Sequence, residues 1–287
     1  MGKVFKALTK SMPVSDPVVE QDKENGIASE AAEEVQQEVR PGKPQESAGQ
    51  SSTSRDWDER LAVLTGKHPE ILESFRRLRT KIVHPSQGSP AKTILITSAL
   101  PEEGKSFVCA NLGCIIAQGV DQHALVVGCD LRRPVMARLF GRDNDRGLVD
   151  YLRDGTDIAS LIVSTGLKRL SLLPAGPPPA NPAELLSSEK MTALIDELAG
   201  RYPDRFILLD TPPGQAASET AVLAQHVDGV ILVVRWGRAG REMIQQFVQT
   251  LGKEKIIGVV FNAFEMTIID SKMKQEGYYK YYSEQYG

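Results

Sequence analysis

Short runs of almost wholly apolar residues recur along most of the chain. They read TILITSA, ALVVG, LSLLPA, FILLD, GVILVVR and IIGVVFNAF. Segments with helical periodicity separate or precede them, at about 69–84, 104–118, 182–200, 218–226 and 240–252. Because strands that are apolar on both faces alternate with helices, the pattern predicts an α/β fold. We expect three layers, with a mostly parallel sheet covered by helices on both faces.

The N-terminal region lacks this alternation. Val4, Phe5, Leu8 and Met12 fall on one side of a helix, and residues 1–12 carry three lysines and no acidic residue. They predict a short amphipathic segment, either a frayed terminus or a docking element for a partner or an anionic membrane. Residues 13–55 are rich in Glu, Gln, Ser, Pro and Gly, which predicts a disordered linker. We expect one folded domain over 56–270 and a separate tail over 271–287.

Composition narrows the class of protein. The chain has 287 residues, 41% of them hydrophobic, and a net charge of −3, which argues against a nucleic-acid partner. No apolar run approaches the ~18 residues that span a bilayer, and the N-terminus lacks the apolar core of a signal peptide. Three cysteines without metal-ligand spacing are expected to be small buried residues. These features predict a cytoplasmic location.

A phosphate-binding loop is predicted after the run TILITSA. Gly104, Lys105 and Ser106 lie at a strand-to-helix junction, where backbone N–H groups and the helix dipole favour phosphate. Lys105 would reach the β- and γ-phosphates of ATP, the Ser106 hydroxyl would hold Mg²⁺, and Glu103 and Phe107 complete the nucleotide-binding stretch. The match is imperfect because Ala99 and Glu102 occupy positions where glycine would ease the turn.

Two carboxylates follow apolar runs and complete this predicted site. Asp210 ends FILLD and Asp130 ends VVGCD, so both are expected at the carboxyl edge of the sheet, close to Lys105 and to a magnesium ion. Asn262, in the last apolar run, either binds the nucleotide base or caps a loop. We expect Lys105, Asp130 and Asp210 to form the catalytic group.

The tail is crowded with tyrosines. Five of the seven in the chain lie in its last ten residues, at Tyr278, Tyr279, Tyr281, Tyr282 and Tyr286. No hydrophobic periodicity runs through this segment, so it does not resemble a core strand. Either the tail has no role of its own, or something acts on its phenol hydroxyls.

Several stretches together resemble a known family. They are ESFRRLRT, PEEGKS, VVGCDLRRP, GLVDYL, LLPAGPPPANPAELLSS, FILLDTPP and the tyrosine-rich tail. Over roughly 69–287 the chain resembles the cytoplasmic kinase domain of bacterial tyrosine autokinases that serve capsule and exopolysaccharide assembly. The resemblance implies a P-loop NTPase fold and the use of ATP and Mg²⁺. It also implies that the tail is the substrate and receives the γ-phosphate in the active site of a neighbouring subunit.

The resemblance also implies partners. The motif Glu-x-x-Arg-x-x-Arg falls on Glu73, Arg76 and Arg79, along one helical face, and implies contacts between subunits of a ring-like homo-oligomer. A membrane polysaccharide co-polymerase is expected to activate the kinase and hold it at the inner face of the cell membrane. A tyrosine phosphatase is expected to reverse the reaction.

One position departs from the family and keeps alternatives open. The family's motif Asp-x-Asp reads Gly128-Cys129-Asp130 here, so a candidate general base is missing and a slow kinase is expected. One alternative is an ATP-binding scaffold with little or no catalysis, which is itself phosphorylated. The other is a positioning ATPase, although Leu100 stands where that class has an additional lysine.

Overall fold

A computed structural model describes residues 4–8, 57–66, 68–214 and 218–264 of the chain. The strands are β1 Val4–Leu8, β2 Thr93–Ser98, β3 His123–Gly128, β4 Val163–Ser164, β5 Leu170–Leu173, β6 Arg205–Asp210, β7 Gly229–Arg235 and β8 Ile256–Phe264. The helices are α1 Ala62–Thr65, α2 Pro69–Val83, α3 Lys105–Ala117, α4 Met136–Leu139, α5 Leu148–Asp154, α6 Ile158–Leu161, α7 Pro182–Leu186, α8 Glu189–Arg201, α9 Glu219–Gln225 and α10 Arg241–Leu251. All six predicted strands and all five helical segments are confirmed, the third segment as two helices, α7 and α8.

The strands form one sheet in the order β1-β8-β7-β2-β6-β3-β5-β4. The six inner strands pair in parallel, and the two edge strands β1 and β4 are antiparallel to their neighbours. Because β2, β3 and β6 lie side by side, the loops that follow them meet at one edge of the sheet. This edge carries the predicted site.

Alternate residues of the inner strands pack into two different cores. Ile94 and Ile96 of β2 face a core shared with α1, α2, α3 and α4, whereas Leu95 faces a core shared with the helices from α5 to α10. All three side chains have no exposed surface. The predicted three-layer α/β fold is therefore confirmed, and the apolar runs follow from burial of both faces of each strand.

The three cysteines are free and buried, as predicted from their spacing. Cys109 and Cys114 lie in α3, and Cys129 follows β3. Burial raises the pKa of the Cys109 and Cys129 thiols well above the ordinary value. They are therefore packing groups.

The helical interpretation of the N-terminus is wrong for the residues that the structure describes there. Val4–Leu8 form strand β1, which pairs antiparallel with β8 and places Leu8 opposite Val259. The unpaired backbone groups of an edge strand favour such an addition, and this tertiary pairing outweighs the local helical spacing. The predicted linker at 13–55 and tail at 271–287 lie outside the described residues.

Within the described ranges, no helix is both long enough and apolar enough to cross a membrane.

Candidate functional site

The phosphate-binding loop joins β2 to α3 and ends at Gly104. This residue has φ +95°, a left-handed conformation that suits glycine. A Cβ atom here would lie 1.9 Å from Nδ2 of Asn262, so a larger residue would displace that side chain. The Asn262 amide donates a hydrogen bond of 2.8 Å to the Glu103 carbonyl. Asn262 thus holds the loop, in line with the capping role, and binding of the base by Asn262 stays a prediction.

The side chain of Glu103 anchors the same loop. Its side chain is fully buried and accepts hydrogen bonds from the backbone N–H groups of Leu100 at 2.8 Å and Arg235 at 3.2 Å. Burial raises the pKa of Glu103, and these N–H groups partly offset the effect. The carboxylate therefore shapes the loop, and binding of nucleotide at Glu103 stays a prediction.

Glu102 adopts a left-handed backbone conformation at a position where glycine would ease the turn. Its φ is +62°, although it carries a side chain. Arg238 contacts its carboxylate Oε2 with two guanidinium nitrogens, each at 3.1 Å. A left-handed conformation costs a residue with a Cβ about 1–2 kcal/mol, so the loop retains strain at this position.

This strain gives a direct prediction for loop stability. We expect Glu102→Gly to have a higher free energy of unfolding than Glu102→Ala, by about 1 kcal/mol, in urea titrations. Both variants lose the exposed ion pair with Arg238, so their difference reports the backbone conformation alone. Equal stability of the two variants would contradict the prediction.

Lys105 pairs with the first predicted carboxylate. Its Nζ atom lies 2.7 Å from Oδ2 of Asp130, and the two side chains are only 13% and 7% exposed. The other oxygen of Asp130 accepts the Arg133 backbone N–H at 3.1 Å. Burial lowers the pKa of Lys105, but Asp210 and Asp130 outweigh it and the net pKa is raised. Lys105 is therefore a charged ammonium at neutral pH.

Asp210 is the second carboxylate and is 1% exposed. Burial raises its pKa to about 6, which the Lys105 charge and a hydrogen bond from the Ser106 side chain only partly counteract. Its Oδ1 atom has no hydrogen-bond partner among the described residues. A buried carboxylate oxygen without a partner is costly, and a cation or a donor bound beside it would offset that cost. The structure thus brings Lys105, Ser106, Asp130 and Asp210 together.

Gly128 marks the departure from the family and ends β3 beside Asp210 of β6. A Cβ built on Gly128 would lie 3.0 Å from the backbone nitrogen of Ala175. A larger residue therefore requires a small shift of the segment after β5. The absence of a carboxylate here leaves Asp130 and Asp210 as the acidic side chains that flank Lys105.

An ion pair that was not predicted from the sequence joins two segments at this edge. Arg132, just after Asp130, contacts Glu219 of α9 at 2.9 Å, and the Glu219 side chain is 1% exposed. The sequence carries no signal for this pair, because the partners are 87 residues apart and meet only through the sheet order. It ties the segment after β3 to α9.

The predicted subunit-contact motif is divided between two environments. Glu73 and Arg76 are about half exposed, and Glu73 also pairs with Arg77 at 3.3 Å. Arg79 is half-buried and donates a hydrogen bond of 3.2 Å to the carbonyl of Ile115 in α3. Glu73 and Arg76 are therefore exposed, whereas Arg79 holds α2 against α3, and the subunit contact at this motif stays a prediction.

The remaining predicted residues fall outside this group. The Phe107 ring contacts the Phe75 ring of α2, and binding of nucleotide at Phe107 stays a prediction. The five tail tyrosines lie outside the described residues.

Comparison with known proteins shows the family to which this chain belongs. Tyrosine-protein kinase YwqD of Bacillus subtilis is 34% identical to the chain over 221 residues, which are 76% of this chain and 90% of YwqD. The chain belongs to the bacterial tyrosine-protein kinases. This family membership supports a protein-tyrosine kinase activity and sets aside the positioning ATPase.

Solved structures of related proteins have the same fold as this chain. The kinase domain of Escherichia coli tyrosine kinase ETK has a TM-score of 0.66 at 30% identity, covering 73% of this chain and 81% of that domain. The chimerical protein CapA2B2 has a TM-score of 0.64 at 30% identity, covering 73% and 92%. The fold is thus the P-loop NTPase fold of these kinase domains, as predicted.

The similarity to some relatives covers only part of their length. The chain spans only 26–29% of the length of several longer kinases that it also matches. No protein-family model matches the chain.

Proposed function

We propose that this kinase transfers the γ-phosphate of ATP to tyrosines of its own C-terminal tail, in trans between subunits. The observation that carries the proposal is the buried Asp210 carboxylate with an open Oδ1 atom. It lies beside Ser106 and Lys105 at the start of the phosphate-binding loop helix. Such a group fits Mg²⁺, which prefers carboxylate and hydroxyl oxygens together with substrate phosphates.

The residues take distinct roles in this reaction. Mg²⁺ bound with ATP would neutralise charge that develops on the phosphates. Ser106 and Asp210 would hold it, with Asp130 as a further carboxylate on the same side. Lys105 would leave its Asp130 partner and contact the β- and γ-phosphates. The backbone N–H groups around Gly104 would position these phosphates at the start of α3.

The tail supplies the acceptor. Five tyrosines within ten residues give a high local concentration of hydroxyls, so productive placement needs no tight recognition of one site. Each phosphate adds about 1.5–2 negative charges. We propose that several phosphates on one tail repel each other and the acidic site, expel the tail and dissociate the oligomer.

The cellular setting is proposed from the family resemblance. A role in capsule or exopolysaccharide polymerisation and export would place the kinase in the cytoplasm, beside a membrane co-polymerase that activates it. A tyrosine phosphatase would reset the tail. The exposed Glu73 and Arg76 of α2 support a contact between subunits of a ring-like homo-oligomer.

Phosphopeptide mapping tests the proposed reaction. The full chain is incubated with Mg-ATP, and the peptides that contain Tyr278 to Tyr286 are analysed by mass spectrometry. We expect phosphate on these tyrosines and none after replacement of all five by Phe. A chain that binds Mg-ATP but gains no phosphate, even when the cytoplasmic segment of a co-polymerase is added, would favour the ATP-binding scaffold. The missing Asp at Gly128 supports that alternative.

Gly128 gives a second prediction with a matched control. We expect Gly128→Asp to raise the initial rate of tail phosphorylation by about tenfold or more, because a carboxylate can accept the tyrosine proton. Gly128→Asn imposes the same crowding against Ala175 without a base and should not raise the rate. Equal rates for the two variants would show that this position does not limit proton transfer.

A further inference from the structure

Strand β8 is bulged at the residue that holds the phosphate-binding loop. Its pairing with β1 is regular as far as Phe261 and resumes where Phe264 lies opposite Val4. One residue of β1 therefore faces two residues of β8, Asn262 and Ala263, which is the arrangement of a β-bulge. Ala263 has φ +54°, a left-handed conformation that is strained for a residue with a Cβ. Such a conformation persists only where the surrounding structure holds it.

The bulge directs the Asn262 side chain to the loop. Its Nδ2 atom donates to the Glu103 carbonyl at 2.8 Å, and its Oδ1 atom accepts the Ala263 N–H at 2.8 Å. The same side chain fills the space beside Gly104 at the start of α3. Bulges next to functional sites commonly re-aim a side chain in this way. The orientation of Asn262 therefore depends on the bulge.

Strand β1 holds β8 on both sides of the bulge. On the opposite side of β8, pairing with β7 ends where Arg235 lies opposite Asn262. Among the described residues, Val4 is the strand partner of Phe264 beyond that point. Without β1, the end of β8 would lose this pairing, and the strained backbone at Ala263 would be free to relax. The docked strand thus keeps the bulge in place.

Strand β8 would be the outermost strand of the sheet if β1 were removed. Its sequence is IIGVVFNAF, and β7 pairs with one of its two sides. The other side offers backbone N–H and C=O groups to an extended segment, which is the mode of recognition called β-strand addition. In this structure the added segment is Val4–Leu8 of the same chain. Its covalent connection through residues 9–56 keeps its local concentration high.

We infer that the β8 edge is a binding site for an extended strand, that Val4–Leu8 of the same chain occupies it, and that the docked strand positions Asn262 at the phosphate-binding loop. The strand acts through Asn262 and adds no group to the nucleotide site. The inference rests on the proposed binding of Mg-ATP at this loop. By linkage, strand docking and nucleotide binding strengthen each other by the same factor.

A pair of prolines tests docking in the full chain. Successive N–H groups of a strand point to opposite sides, so one of Lys6 and Ala7 donates towards β8. Lys6→Pro with Ala7→Pro removes that donor. Calorimetry should show about fivefold or more weaker binding of Mg²⁺-bound adenylyl imidodiphosphate, an ATP analogue that resists γ-phosphate transfer. The control, Lys6→Thr with Ala7→Thr, keeps both N–H groups and should bind like the wild type.

A peptide supplied separately tests the binding site itself. The fluorescein-labelled peptide MGKVFKALTK, the sequence of residues 1–10, is added to the proline variant. We expect saturable binding by fluorescence anisotropy and recovery of the nucleotide affinity. The same peptide with prolines at its sixth and seventh positions should do neither. The wild type should bind the peptide more weakly than the proline variant does, because its own strand competes from within the chain.

A double-mutant comparison tests the route through Asn262. Asn262→Ala removes the hydrogen bond to Glu103, so adding the proline pair to this variant should cause no further loss of nucleotide affinity. If β1 merely stabilised the domain, the proline pair would weaken binding by the same factor whether or not Asn262 is present. Equal losses in the two backgrounds would therefore show the inference to be wrong.

The remaining outcomes separate this inference from the proposed function. Unchanged nucleotide affinity in the proline variant, or failure of the peptide to bind it, would overturn the inference and leave the proposed kinase reaction standing. A wild-type chain that binds no Mg-nucleotide would instead contradict the proposed function. Peptide anisotropy needs no nucleotide, so it would still decide whether the β8 edge binds the strand.

Discussion

Replacing Lys105 with Met is expected to leave the tail tyrosines of the variant without phosphate when it is incubated alone with Mg-ATP. The Lys105 ammonium lies 2.7 Å from Asp130 in a site that is nearly closed to water, where one positive charge has a large effect. Removal of a single charge-stabilising donor from such a site typically lowers the rate about 10²- to 10³-fold. Phosphotyrosine mapping of the tail over time measures the loss.

The same variant tests whether transfer occurs between subunits. Lys105→Met retains all five tail tyrosines, so it should gain phosphate when wild-type kinase with a Phe-substituted tail is added. Lys253→Met, at an exposed lysine remote in sequence from the loop, is the control and should label like the wild type. Phosphate on Lys105→Met incubated alone would rule out the assigned role of Lys105.

Asp210→Asn is expected to lose activity and gain stability. The variant keeps the size of the side chain but lacks the carboxylate that would hold Mg²⁺, so tail phosphorylation should fall about 10²-fold or more. The ordinary carboxyl pKa is 3.8, and burial raises that of Asp210 to about 6. Ionisation of Asp210 therefore opposes folding as pH rises through about 6, and Asn removes this penalty.

The sign of the pH dependence makes the result specific. Because the folded protein holds the Asp210 proton more tightly than the unfolded chain, the stability contributed by this group is complete below pH 3.8 and is lost by pH 7. Without nucleotide, the variant should exceed the wild type in free energy of unfolding by about 1–3 kcal/mol at pH 7.5 and by roughly half as much at pH 5. Urea titrations at the two pH values measure the difference.

A matched substitution tests whether the change in stability is specific to the buried carboxylate of Asp210. Asp196→Asn, at an exposed carboxylate of α8, should leave the pH dependence of unfolding unchanged. In the wild type, Mg-nucleotide binding should weaken below about pH 6, since a proton then competes for Asp210. An Asp210→Asn variant that follows the wild-type stability curve at both pH values would show that Asp210 is not a strained ionised group.

The sequence alone determined the layered fold and the chemical content of the site. Strands buried on both faces must be apolar at nearly every position, so the six inner strands were recognisable from local composition. Lys105 and Ser106 were recognisable from the loop motif. Asp130 and Asp210 were recognisable because they follow strands, and parallel neighbours bring their carboxyl ends to one edge.

Only the tertiary structure decided how those residues are held and what joins them. The pairing of β1 with β8, the Asn262 hydrogen bond to Glu103, and the Arg132–Glu219 ion pair each link positions far apart in the chain. No local pattern encodes such pairs, because their partners are chosen by strand order and helix packing. The same reason explains why the motif at Glu73, Arg76 and Arg79 forms one charged face in sequence, whereas packing against α3 leaves Arg79 half-buried and the other two exposed.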